Sequence, residues 1–110
     1  MKKVKITVVE TTFNKNLAEK YAHEGLKPCS YNTVGQVFIS NGWQKPKGLC
    51  DNSWKSMQEY VFTLAHGGGN FYDGWLKNPK AAMIACNDGF RPVIFKVEAL
   101  DEDIDKMFED

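Results

Sequence analysis

The sequence carries no surplus of either charge: 14 lysines and arginines stand against 14 aspartates and glutamates in 110 residues. Nucleic-acid binders normally show a basic excess, because neutralising phosphates takes lysine and arginine. These charges therefore read as a mixed, solvated surface, and no nucleic-acid partner is expected. No apolar run approaches the roughly 18 residues that cross a bilayer, so no membrane association is expected. The opening Met1–Glu10 is basic but has no apolar h-region, so it does not read as a signal peptide. Cysteine is sparse and odd in number: Cys29, Cys50 and Cys86. That rules against a disulfide framework and, without an export signal, implies reduced thiols in the cytoplasm. Internal repeats, low-complexity tracts and interdomain linkers are also missing, so residues 1–110 are expected to form a single domain.

What is present supports a real core. Hydrophobic residues make up 43% of the chain and aromatics 13%, too many for disorder. Between Lys3 and Thr11, Val4, Ile6 and Val8 alternate with polar neighbours, the period-two signature of a half-buried strand. Asn14 is placed to cap a short helix through Leu17, Ala18, Tyr21 and Ala22, with Gly25 to end it. Gln36–Ser40 reads as a strand closed by Asn41-Gly42, a common hairpin signal. From Asp51 to His66, Trp54, Met57, Val61 and Leu64 fall three and four apart, one apolar stripe of a helix. Asp51, Asn52 or Ser53 is expected to cap it, and Gly67-Gly68-Gly69 to stop it. Ala81–Cys86 and Pro92–Glu98 read as two strands joined through Asn87-Asp88-Gly89. The acidic end suggests a further short helix capped by Asp101, docking through Ile104, Met107 and Phe108. No regular βαβ alternation appears. The expected class is α+β: a mostly antiparallel curved sheet, or a small barrel, packed against one long helix, with one or two short helices.

Lys5-Ile6-Thr7-Val8, Gly35-Gln36-Val37-Phe38-Ile39, Gly48-Leu49-Cys50-Asp51 with Trp54, Gly68-Gly69-Asn70-Phe71, and Asp88-Gly89-Phe90-Arg91-Pro92-Val93-Ile94-Phe95-Lys96 together resemble the pattern of a family of uncharacterised proteins of about one hundred residues from anaerobic bacteria and archaea. The likeness runs from about Lys3 to Leu100. It implies a cytoplasmic, anaerobic setting and cysteines at Cys29, Cys50 and Cys86, but no assigned activity. Ser30 and Ala85 depart from the family's usual proline and cysteine, and the glycine run is one residue longer.

Several residues are candidates for chemistry. Cys29, Cys50 and Cys86, with His23 and His66, are the residue types that bind zinc or iron, since thiolate and imidazole suit these ions. No C-x-x-C spacing is present, and three buried, inert thiols are the competing reading. Cys50, just ahead of a helix, is the candidate nucleophile, because a helix N-terminus favours thiolate. Asp51 beside it works against that. Arg91 at the Asp88 turn is a candidate anion clamp, with a plain ion pair to Asp88 as the alternative. Trp43, Trp54, Phe71 and Trp75 are candidates for a ligand-contacting aromatic wall, or for an interface. The His66–Asn70 glycines follow a helix, so they fit a C-terminal stop and not a phosphate cradle.

Three functions fit these features. The first is a binding module holding a metal or small ligand in a cysteine and aromatic pocket. The second is an accessory protein that docks a larger enzyme or forms a homodimer through its aromatic loops. The third is a small thiol-dependent enzyme.

Overall fold

In a computed structural model, which describes residues 1–104, the chain forms four strands and two helices. These are β1 (Lys2–Thr11), α1 (Lys15–Tyr21), β2 (Val37–Ser40), α2 (Asp51–Ala65), β3 (Ala81–Ala85) and β4 (Val93–Asp103). The sheet order is β2-β1-β4-β3 and every pairing is antiparallel. The class is therefore α+β, as the mixed periodicities predict. The sheet is open, with β2 and β3 at its two edges among the described residues, so the barrel alternative is not realised. No helix of the described residues is long and apolar enough to cross a membrane.

One face of the sheet carries the core. Val4, Ile6 and Val8 of β1 and Val93, Phe95 and Val97 of β4 are fully buried against Met57, Val61 and Leu64 of α2. The apolar stripe predicted for α2 is thus its packed face. The helix ends in a Schellman turn: Gly68 N–H donates to the Thr63 carbonyl at 2.9 Å and Gly67 N–H to Leu64 at 3.2 Å, with Gly67 at φ +89°. Glycine tolerates that left-handed conformation without steric cost. The two central strands are long and shifted in register between Val8 and Glu10.

Four local expectations are corrected. Asn41-Gly42 does turn the chain, through Asn41 Oδ1 accepting from the amides of Trp43 and Gln44. It makes no hairpin, because β2 pairs only with β1. Asn14 is the N-cap residue of α1, as expected, but its side chain makes no capping bond and donates instead to the Gly89 carbonyl at 2.6 Å, and α1 ends at Tyr21, short of Gly25. Asp51, Asn52 and Ser53 do not cap α2, whose N-cap residue is Cys50. Asp101–Asp103 extend β4 rather than opening a helix, and Ile104 N–H donates to the Met1 carbonyl at 2.8 Å. Met107 and Phe108 lie outside the described residues.

Candidate functional site

Three segments far apart in sequence meet at the N-terminal end of α2. They border a half-open cavity of about 230 Å³ lined by all three cysteines, by Ser30, Tyr31 and Asn32, by Asn52 and Ser53, and by Asp88, Arg91 and Val93.

The first wall is the start of α2. Leu49, buried in the core, anchors the approach, and its amide donates to the Pro46 carbonyl at 3.2 Å. Cys50 follows in extended conformation and makes no side-chain cap. The Asp51 carboxylate turns outward to Lys45 Nζ at 2.6 Å, and that hydrogen bond holds its pKa below the ordinary carboxylate value. The first helical hydrogen bond runs from Trp54 N–H to the Cys50 carbonyl at 3.0 Å. The amides of Asp51, Asn52 and Ser53 are therefore left without an acceptor among the described residues, as the first amides of any uncapped helix are.

The second wall is the turn between β3 and β4. Asp88 organises it: Oδ1 accepts from the amides of Phe90 (2.9 Å) and Arg91 (3.1 Å), and Oδ2 accepts from Arg91 Nε at 2.9 Å. Burial pushes the Asp88 carboxyl upward, but these donors outweigh it and hold its pKa below the ordinary value. The ion pair expected at this turn is present. It engages only Nε, and the two terminal nitrogens of Arg91 make no hydrogen bond to other described residues. Cys86 sits at the base of the turn. Its Sγ accepts from Val93 N–H at 3.2 Å and lies 3.9 Å from the Arg91 carbonyl, to which the thiol donates. Extension of β1 pins the turn from outside, through Thr12 N–H to the Pro92 carbonyl (3.1 Å) and Asn14 N–H to the Phe90 carbonyl (2.8 Å).

The third wall is the loop carrying Cys29 and Asn32. Asn32 is only 6% exposed, and its Oδ1 has no hydrogen-bond partner among the described residues. A buried polar group left in that state is costly, by about 1–3 kcal/mol, unless a water, an ion or a ligand meets it.

The thiols thus share one cavity, but they do not form a metal cluster. Among the described residues, no three or more His, Cys, Asp or Glu side chains are grouped to hold a metal ion. The zinc or iron centre expected at Cys29, Cys50 and Cys86 is not assembled. His66 is spent at the far end of α2, its Nδ1 lying 2.7 Å from the Phe62 carbonyl, and His23 borders a separate hollow beside α1.

The expected aromatic wall is also dispersed. Trp54 is buried in the core. Phe71 packs against that core, its ring 5.0 Å from that of Tyr60. Trp43 borders a different hollow with Phe62 and Thr63. Trp75 is 81% exposed and stacks on Tyr72 at 5.1 Å. The cavity's own ring is Tyr31, which sequence reasoning passed over. It also missed Asn32 and Ser53. Ser53 had a detectable signal: it lies four positions before Met57, on the buried stripe, where a polar residue is unusual. Asn32 had none, because a loop has no periodicity from which burial can be read.

Comparison of the chain with family models, with curated proteins and with solved structures finds no match.

Proposed function

We propose that this protein is a small-ligand-binding module whose site is the cavity at the start of α2. One observation carries the reading. Cys29, Cys50 and Cys86, from three separate segments, line a single cavity together with a buried asparagine that lacks a partner. Its volume, about 230 Å³, lies below the roughly 300–1,000 Å³ of pockets that take drug-sized molecules, so the ligand is small. Membership of the uncharacterised family that the sequence resembles, and its cytoplasmic, anaerobic setting, belong to the same proposal. In support, Cys50 from one of that pattern's segments and Asp88, Arg91 and Val93 from another border the cavity. A sheet curved over α2 also belongs to it, since register shifts such as the one near Val8 bend strands.

Amide shifts of the isotopically labelled chain test the reading, using a panel of small neutral molecules, small anions and zinc. Amides of residues 29–32, 50–53 and 86–93 should respond together to at least one member. Silence of these amides across the panel at millimolar concentration would overturn it.

A second reading, docking through the aromatic loop, is favoured by one feature. Asn70, Tyr72 and Asp73 all have positive φ (54°, 58° and 49°), and they present the exposed Tyr72–Trp75 stack. Such backbone costs about 1–3 kcal/mol per residue and persists where the surroundings enforce it. If the loop joins two copies of the chain, Trp75→Ala converts a dimer to a monomer in sedimentation equilibrium. A wild-type chain that sediments as a monomer removes the homodimer.

A further inference from the structure

The polar groups unspent around the cavity are of both kinds. Donors stand on two walls. The amides of Asp51, Asn52 and Ser53 open the 15-residue α2 and meet no acceptor among the described residues. Asp88 engages only Nε of Arg91, so the terminal guanidinium nitrogens have no partner among the described residues either. The third wall offers the opposite. Asn32 lines the cavity and is more than nine-tenths buried, and its Oδ1 is an acceptor shielded from bulk water, with no donor among the described residues. Asp88 does not compete for a ligand's donor, because both its oxygens are occupied by Phe90 and Arg91. A molecule that completes these walls must accept on one side and donate on the other.

We infer that the cavity binds a small neutral amide, its N–H donating to Asn32 Oδ1 and its carbonyl oxygen accepting from the first amides of α2 and the Arg91 guanidinium. The inference rests on the reading of the cavity as a ligand site and names the ligand's class. Hydrogen bonding removes an anion, which brings only acceptors and would set a lone pair against Asn32 Oδ1. Charge removes a cation, which Arg91 and the positive end of α2 both repel. The lining holds one carboxylate, Asp88, and one guanidinium, Arg91, already paired to each other, so no net charge calls for a counter-ion. An amide carries acceptor and donor in one rigid plane and can bridge the walls. Size selects a short tail. About 230 Å³ is the share of roughly seven or eight waters at ~30 Å³ each. The remaining wall is Val93, Tyr31 and three thiols, which favour a short apolar tail over a sugar or nucleotide.

The division of labour follows from the geometry. Asn32 is the group that demands a donor and so sets the ligand's class. Arg91 and the helix amides hold the carbonyl. Asp88 does not touch the ligand. It is a positioning residue that fixes the Arg91 side chain through Nε and fixes the turn through two amides.

The test uses the full chain, isotopically labelled, titrated with four molecules of one size: propionamide, butanone, propionate and propylammonium. Butanone keeps the carbonyl and replaces the amide nitrogen by a methyl group, so it differs from propionamide in the donor alone. Propionamide should shift the Asn32 side-chain resonances and the amides of residues 51–53 and 89–91 saturably. Butanone should bind about threefold to tenfold more weakly, the scale of one net hydrogen bond, and both ions should be weaker than propionamide. Asn32→Leu should erase the advantage of propionamide over butanone while leaving butanone bound. Should Asn32→Leu block the cavity to butanone as well, Asn32→Ala, which leaves more room, gives the same decision.

The outcomes separate the two claims. Butanone binding as tightly as propionamide overturns the donor to Asn32 and leaves the ligand site standing. Propionate or propylammonium binding more tightly than propionamide overturns the neutral class. A preference for propionamide that survives in both Asn32 variants overturns the assignment of Asn32. If none of the four probes moves these amides while another small molecule does, the amide falls and the site remains. If nothing moves them, both fall.

Discussion

Asn32 and Asp88 are both polar residues in the cavity wall, yet removing either should affect stability in opposite directions. Asn32 keeps a buried oxygen without a partner among the described residues. Replacing it with leucine, similar in size, removes the unpaired group, and the ligand-free protein should gain about 1 kcal/mol, measured by urea unfolding. A loss of stability instead would mean that the carboxamide has a partner in solution. Asp88→Asn removes a charged acceptor shared by two amides and a guanidinium, and should cost about 1–2 kcal/mol. The sign of its pH dependence follows from its lowered pKa. A depressed carboxyl contributes stability that is complete above its unfolded value, near 3.8, and is lost as pH falls through the lower folded value. Wild type and Asp88→Asn should therefore differ fully at pH 6 and converge only as pH falls well below 3.8. A constant gap in urea midpoint over that range would contradict the assignment.

At the scale of elements, α2 joins the core to the site, and its seating depends on a close approach by the chain after β2. Gly42 stands at φ +97°, and a Cβ there would lie 2.5 Å from the Cβ of Ala65. Gly42→Ala combines a left-handed backbone with that clash and should cost about 2–3 kcal/mol. Met57→Ala, in the centre of the α2 stripe, should cost about 2–5 kcal/mol through lost burial and an unfilled cavity. Both are read as shifts in thermal midpoint.

The elements themselves were legible. Alternation in β1 and β4 and the stripe of Trp54, Met57, Val61 and Leu64 report a repeating environment on one face of a sheet, and such repetition is written into sequence. The ends of elements were less so. Asn14 and Asp51 are both good capping residues, yet each spends its side chain elsewhere, on Gly89 and on Lys45. A distant or neighbouring partner overrides a local preference, and nothing in the local sequence announces the partner.

The same contrast holds for the whole molecule. Each thiol sits at a loop or an element boundary, where segments can converge, but the sequence left open whether they do. That they would stop short of a metal cluster, and that Trp43 and Trp75 would lie elsewhere, depends on the β2-β1-β4-β3 order, which local patterns do not encode. This order also sets the folding problem. β1 and β4 form the central pair, with Lys2 opposite Asp103, so the core ladder joins residues nearly the whole described chain apart. Long-range pairing of this kind slows folding. Refolding followed by tryptophan fluorescence, with the buried Trp54 as reporter, should take milliseconds to seconds, and a microsecond relaxation would contradict the central pairing.

The hydrogen bond between Ile104 and Met1 carries a practical corollary. It sets Met1 and Ile104 side by side at one corner of the sheet. Joining positions 1 and 104 by a few residues would give a cyclic backbone. New termini cut into that ring at the exposed Tyr72–Gly74 turn would leave the cavity's three walls uncut.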